Sequence, residues 1–219
     1  AAYKRVVIFI ISSQFINKAG ESLYDLAMPL LVLHVTGSAF LMGTMYALGF
    51  VAEFLVGFFG GTIVDRVNRK KLLLTVSLLL AVFMLIIPVS QNLDVFNIII
   101  LLFVTFFIDL LISLYRTADI SIIPQLVEKI RLPQATGYMQ TSMSTAEAIG
   151  PALAGFLIGA LGLFQSLWIN VFVFIFLGLT ILFIKNISVS AEKKHLHPSE
   201  IWKSSMSGLQ YTLDNKLFK

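Results

Sequence analysis

The sequence predicts an all-α membrane protein. Six transmembrane helices form a bundle over residues 1–187, and a cytoplasmic linker with an amphipathic helix follows over 188–219. Three observations carry this. The first is composition. Of 219 residues, 58% are hydrophobic and 13% charged, and mean hydropathy is +0.89. A soluble domain holds roughly 45–50% apolar and about 25% charged residues. Such a surplus does not fit inside one core, because much of a small domain's surface must face water. Lipid is the simplest solvent for it, and 19 Phe suit helices that face acyl chains.

The second observation is length. A span needs roughly 20 mostly apolar residues. Six stretches meet this, at about 5–34, 38–65, 69–91, 94–123, 131–161 and 163–186. The breaks carry turn chemistry: Thr36-Gly37-Ser38, Asn68 in a basic run, Ser90-Gln91-Asn92, Lys129 to Pro133, and Leu161-Gly162. Short links favour antiparallel neighbours and an up-down bundle.

The third is charge placement. Lys4 and Arg5 precede span one. Arg66, Arg69, Lys70 and Lys71 separate spans two and three, and Lys129 and Arg131 separate four and five. Lys185, Lys193, Lys194, Lys203, Lys216 and Lys219 follow span six. Fourteen of the sixteen basic residues thus fall on one side. By the positive-inside rule both ends are cytoplasmic and the span count is even. A multi-pass protein of the cell membrane is the expectation. The net charge of +4 therefore reports topology, and nucleic acid is not an expected partner. There is no Cys, which excludes disulfides and thiolate metal sites.

The linker changes composition. Ser188 to Ser199 is polar, and Pro198-Ser199-Glu200 reads as a helix start. Trp202, Met206, Leu209, Leu213 and Leu217 follow at helical spacing. This amphipathic helix either lies on the membrane or packs beneath the bundle. The chain opens Ala1-Ala2-Tyr3 and stops at Lys219 within that pattern, so it reads as a piece of a longer protein.

Charges within spans cost roughly 2.5–3.5 kcal/mol each at the bilayer centre, so those present should face the bundle interior or a watery cavity. Gln14, Lys18, Glu21 and Asp25 lie on one stripe of span one. Lys18 and Glu21 suit a self-neutralising pair. Asp25 is left alone one turn before Met28-Pro29, where Pro29 permits a kink. A lone acid there is a candidate proton or cation site. In span two, Gly49, Glu53, Gly57 and Gly61 recur every fourth residue, which predicts a close-packing face with Glu53 buried on it. Glu53 then serves either hydrogen bonding or transport. Span four carries Asp109, Ser113, Arg116 and Asp119 along one side. Arg116 is always charged and needs an acid: either Asp119 one turn away, or one on another span, such as Asp25. In span five, Ala146, Gly150 and Ala154 form one small ridge, Gly155 and Gly159 form a second, and Pro151 adds a bend. No span holds a metal-ligand His pair or a Ser/His or Cys/His pairing. An enzyme is therefore not expected, nor is a metal or a cofactor.

The loop Gly61-Thr62-Ile63-Val64-Asp65-Arg66-Val67-Asn68-Arg69-Lys70-Lys71 resembles the G-x-x-x-D-R-x-G-R-K-x signature of the major facilitator superfamily. Asn68 stands at the second Gly and tolerates positive φ. Ala146 to Gly155 resembles the family's fifth-helix motif G-x-x-x-G-P-x-x-G-G. Gly20-Glu21-Ser22-Leu23-Tyr24-Asp25 and the Pro124 to Pro133 turn look most like the macrolide-efflux and siderophore-exporter branch.

The resemblance implies that this is the N-terminal six-helix half of a twelve-span transporter, built from two inverted three-helix repeats. It implies a C-terminal half as missing partner, with a small-molecule substrate and protons as further partners. It implies proton-coupled efflux of a hydrophobic or amphipathic compound through a cavity between the two halves, lined by spans one, two, four and five. Asp25, with Glu21, would carry the proton, and Arg116 would set the field. Gly61, Asp65, Arg66, Arg69 and Asp119 would form a conformational latch, Asp119 pairing with Arg69. Gly150, Pro151 and Gly155 would serve helix packing. Nutrient uptake on the same fold and a non-transporting membrane scaffold are the alternatives.

Overall fold

The computed structural model describes residues 2–93, 97–126, 129–183 and Met206. It is helical throughout these segments: α1 (Ala2–Thr36), α2 (Ala39–Arg66), α3 (Arg69–Asn92), α4 (Ile98–Leu126), α5 (Leu132–Leu161) and α6 (Leu163–Phe183), with a 3₁₀ turn at Lys129–Arg131 before α5. Each predicted stretch becomes one helix. The linker and its amphipathic helix lie outside the described residues, apart from the helical Met206.

The turns follow from local chemistry. Gly37 adopts φ 63°, and its N–H donates to the Leu33 carbonyl at 2.8 Å. Ser38 caps α2 by accepting from the Leu41 N–H at 3.3 Å. Gly162 adopts φ 94° to end α5. Asn68 differs from expectation. Its φ is −67°, so it makes no left-handed turn. Its side chain caps α3 instead, accepting from the Lys71 N–H at 3.1 Å, a role for which Asn suits better than Gly. Pro29, Pro88 and Pro151 lie inside helices that continue through them.

Hydroxyls in the apolar helices turn back on their own backbone. Thr105, Thr117, Thr145, Ser166 and Thr180 each donate to a carbonyl three or four residues earlier, at 2.7–2.9 Å. That satisfies them without water.

Most packing is between helices that are not chain neighbours, with α3 and α4 the exception. The main partners are α1 with α5 and α6, α3 with α6 and α4, and α2 with α4. The up-down sequence of short links thus produces a bundle in which consecutive helices are mostly separated. The pairings have an internal symmetry. Exchanging α1–α3 for α4–α6 carries α1·α5 onto α2·α4 and α1·α6 onto α3·α4, and returns α3·α6 to itself. This is the arrangement of two related three-helix units.

Four of these five pairings close on a glycine, because a missing Cβ lets backbones approach. A Cβ on Gly150 would collide with Ser22 across α1·α5. On Gly20 it would meet Val173 at 2.9 Å across α1·α6, on Gly178 it would meet Ser77 at 2.9 Å across α3·α6, and on Gly49 it would meet Asp109 at 2.9 Å across α2·α4. The α3·α4 pairing instead stacks Phe83 on Phe107, with centroids 5.6 Å apart.

Two expected ridges need correction. In α2 the buried stripe is Met45, Ala52, Val56, Gly60 and Val64. No described atom beyond the helix's own backbone and chain neighbours lies within 4 Å of a Cβ at Gly57 or Gly61, so Gly61 makes no close approach there. In α5 the ridge of Ala146, Gly150 and Ala154 is buried as expected. Gly155 only grazes Leu26 at 4.0 Å, and Gly159 is open.

The core runs through the centre, with Met28, Leu31, Leu80, Met84, Ile108, Leu167 and Phe174 fully buried. Phe40, Phe54, Phe103, Phe156 and Phe172 project outward. The five helices α2 to α6 are long and apolar enough to cross a membrane. α1 is as long, at 35 residues, but its polar stripe lowers its hydropathy.

Candidate functional site

The polar stripe of α1 faces inward. Gln14, Asn17 and Glu21 are buried, and α1 meets α2, α4, α5 and α6. Glu21 is the centre. Its side chain is 4% exposed, and its Oε2 accepts from Lys18 Nζ at 2.9 Å and from Arg116 Nη2 at 3.3 Å. The other guanidinium nitrogen, Arg116 Nη1, donates to Glu53 Oε1 on α2 at 3.3 Å. Lys18 reaches outward to Glu147 Oε1 on α5 at 3.3 Å. Five charges therefore alternate in sign along one path: Glu147, Lys18, Glu21, Arg116, Glu53. The order of helices is α5, α1, α4, α2, and it respects the exchange symmetry of the fold.

Arg116 thus selects neither Asp119 nor Asp25, the two candidates that spacing left open. It takes Glu21 and Glu53, where two acids from different helices match its two-pronged fork.

A cavity of about 280 Å³ opens beside this path, between α1, α2 and α4. All five residues expected along the pathway line it: Glu21, Asp25, Glu53, Asp109 and Arg116. Met28, Met45, Tyr46 and Phe50 supply apolar and aromatic walls, and Gly49 brings α2 close to Asp109. Glu53 lines the cavity with its side chain 49% exposed, which corrects the expectation of burial on a packing ridge. α5 contributes no residue to this cavity.

Two of the lining acids have no cation in contact among the described residues. Asp25 makes no ion pair; Lys18, Glu21, Glu53 and Arg116 act on it only through space. Asp109 lies beside the Tyr24 hydroxyl. Tyr24 is 3% exposed, and its hydroxyl also points to the Thr105 carbonyl at 3.5 Å. The cavity therefore joins an apolar wall to two carboxylates that lack a counter-ion.

The residues expected to form a latch divide. Arg69 at the start of α3 donates to Asp65 Oδ1 at 3.1 Å and to the Ser121 carbonyl of α4 at 2.6 Å. Arg66 closes α2. Asp119 does not pair with Arg69. It faces α1, where it accepts from the Gln14 amide. The reason is position on the helix: Asp119 shares its side with Arg116, which already faces α1, whereas the Ser121 carbonyl faces α3.

Glu147 and Tyr24 join the site without having been singled out, and Gln14, named in the stripe of span one, joins it as the partner of Asp119. Glu147 was recoverable by the same reasoning as the others, as a charge within a span. Tyr24 gave no sequence signal beyond its place between Glu21 and Asp25.

A family model described as Major Facilitator Superfamily matches residues 10–218. The chain is 26% identical over 201 residues to Multidrug resistance protein 2 of Bacillus subtilis (strain 168), covering 88% of this chain and 46% of that protein. It is 23% identical over 208 residues to Macrolide efflux protein A of Streptococcus pyogenes, covering 94% and 50%. The chain spans about half the length of these curated relatives.

Proposed function

The chain belongs to the Major Facilitator Superfamily, a family of membrane transporters, and from that premise we propose that it forms one half of a proton-coupled exporter of hydrophobic or amphipathic small molecules. The observation that carries this is convergence. Glu21, Asp25, Glu53, Asp109 and Arg116 come from three helices and line one cavity. The names of the efflux relatives support export over uptake.

In this reading α1 is a sixth span, sheltered by α4, α5 and α6, and residues 1–187 form the bundle. Residues 188–219 lead to a second half that completes the cavity, and both termini of this half are cytoplasmic, in the cell membrane. Export exchanges a proton for substrate. Asp25, free of any bound cation, accepts the proton when the cavity opens outward and yields it inward. Asp109, next to Tyr24, shares the cavity and holds the substrate's polar end, while Met28, Met45 and Phe50 receive the apolar body. Arg116, fixed by Glu21 and Glu53, sets the field around Asp25.

The test is Asp25→Asn in the full-length transporter. Export driven by an imposed pH gradient is expected to be lost while protein level in the membrane is kept. Unchanged pH-driven export in that variant removes Asp25 from the coupling.

A further inference from the structure

Glu21 occupies a place that neither proton exchange nor substrate contact explains. It is more buried than any other acid in the charge path, and one of its oxygens already holds two cations. A group so placed is poorly suited to release its partners. It is well suited to fix where they point.

We infer that Glu21 is a positioning residue, which anchors Arg116 against α1 while Glu53 holds its other nitrogen on α2, and so keeps it clear of Asp25 and Asp109 and leaves both cavity carboxylates without a counter-ion.

The geometry supports this in three steps. First, Arg116 has two contacts and both are carboxylates outside its own helix, Glu21 at 3.3 Å and Glu53 at 3.3 Å. Of these only Glu21 is shielded. Glu53 is half-exposed, and a solvent-facing pair holds weakly. Second, the next acid within reach is Asp25. It lies one turn along α1 from Glu21, on the same face, and lines the same cavity as Arg116. Arg116 freed from Glu21 has Asp25 as its nearest alternative on α1. Third, Lys18 is held off the cavity in the same way. It does not line it, because Glu21 on one side and Glu147 on the other direct its ammonium toward α5. One buried carboxylate thus keeps two cations away from two acids that would otherwise be neutralised.

The positioning does not depend on Asp25 carrying a proton; only its consequence for transport rests on the reading of the cavity given above. The test therefore uses no substrate. In the full-length transporter in detergent, thermal unfolding is measured for Asp25→Asn in the wild-type background and in the Glu21→Gln background. In the wild type the substitution removes an acid with no cation, and the midpoint is expected to hold or rise. In the Glu21→Gln background Arg116 has turned to Asp25, and the same substitution is expected to lower the midpoint by about 2–4 °C or more. Glu21→Asp keeps the charge and is expected to restore wild-type behaviour. Adding Arg116→Gln to Glu21→Gln is expected to abolish the new sensitivity to Asp25→Asn. If Glu21→Gln alone does not accumulate, the Lys18→Gln/Glu21→Gln pair keeps net charge constant and is expected to give the same result. An equal effect of Asp25→Asn in both backgrounds overturns the inference, whatever the transport assays show. Loss of the transport reading with the background effect intact leaves it standing.

Discussion

Replacing Gly150 by Ala tests the tightest of the glycine contacts among the described residues. The added methyl would overlap Ser22, whose Cβ lies only 2.7 Å from the new atom. Carbon atoms rest at about 3.5–4.0 Å, so α1 and α5 must part by about 1 Å. Ser22 cannot rotate away, because its Cβ is fixed by the helix and its hydroxyl donates to the Lys18 carbonyl at 3.0 Å. Overpacking of this kind costs about 1–3 kcal/mol. Against it stands the gain from Gly to Ala in a helix, about 1 kcal/mol. Gly159, two turns and two residues further along α5, is the internal control: nothing lies within 4 Å of a Cβ there, so only the gain applies. The two variants should therefore separate by about 1–3 kcal/mol, at about 2–4 °C of midpoint for each kcal/mol. The measurement is thermal unfolding of the full-length protein in detergent, with Gly159→Ala above wild type and Gly150→Ala below it. Ser22→Gly should recover part of the loss in the Gly150→Ala background. If the two alanine variants shift together, the α1–α5 contact is not as described.

Other substitutions probe separate features. Asn170 is fully buried, and neither polar side-chain atom has a hydrogen-bond partner among the described residues. Asn170→Leu should raise stability by about 1–3 kcal/mol, and a fall in the unfolding midpoint would show that the amide has a partner. Glu21→Gln should cost about 1–3 kcal/mol, since Lys18 keeps Glu147 and Arg116 keeps Glu53, whereas Glu53→Gln, half in solvent, should cost less; equal losses would contradict the burial difference. Asp65→Asn weakens the hold on Arg69 and through it the bridge to the Ser121 carbonyl. On the transporter reading it should shift the balance of cytoplasm-open and closed forms, read from the labelling rate of a single cysteine introduced into this chain, which has none of its own; an unchanged rate would remove Asp65 from the latch.

Helix number and limits were legible because chain length in lipid and turn chemistry are local properties. The participants in the cavity were legible for a related reason. A charge within an apolar span must find shelter, so Glu21, Asp25, Glu53, Asp109 and Arg116 announced themselves before any contact was known. Their pairing was not legible. Arg116 had Asp119 one turn away on its own helix, yet took acids from α1 and α2, a choice fixed only by how three helices are rotated about their axes. The packing face of α2 failed for the same reason. A helix apolar on all sides carries little directional signal, and of the regular glycines 49, 57 and 61 only Gly49 meets a neighbouring helix, while the buried stripe runs through Met45, Ala52, Val56 and Gly60. Asn68 marks a third kind of gap: the turn was correctly located, but its side chain was more informative than its tolerance for positive φ.

The polar stripe of α1 has a consequence for how the protein is made. Helices whose hydroxyls bond to their own backbone can enter the bilayer one at a time, since each leaves the ribosome already satisfied. α1 cannot. Its Glu21 finds Arg116 95 positions later and its Gln14 finds Asp119 105 positions later. Its Ile11 carbonyl meets Ser142 only 131 positions downstream. The polar stripe of α1 therefore gains its full set of partners only once α4 and α5, which follow it in the chain, are in place. Assembly of this chain should depend on its first helix and be completed only with its fourth and fifth.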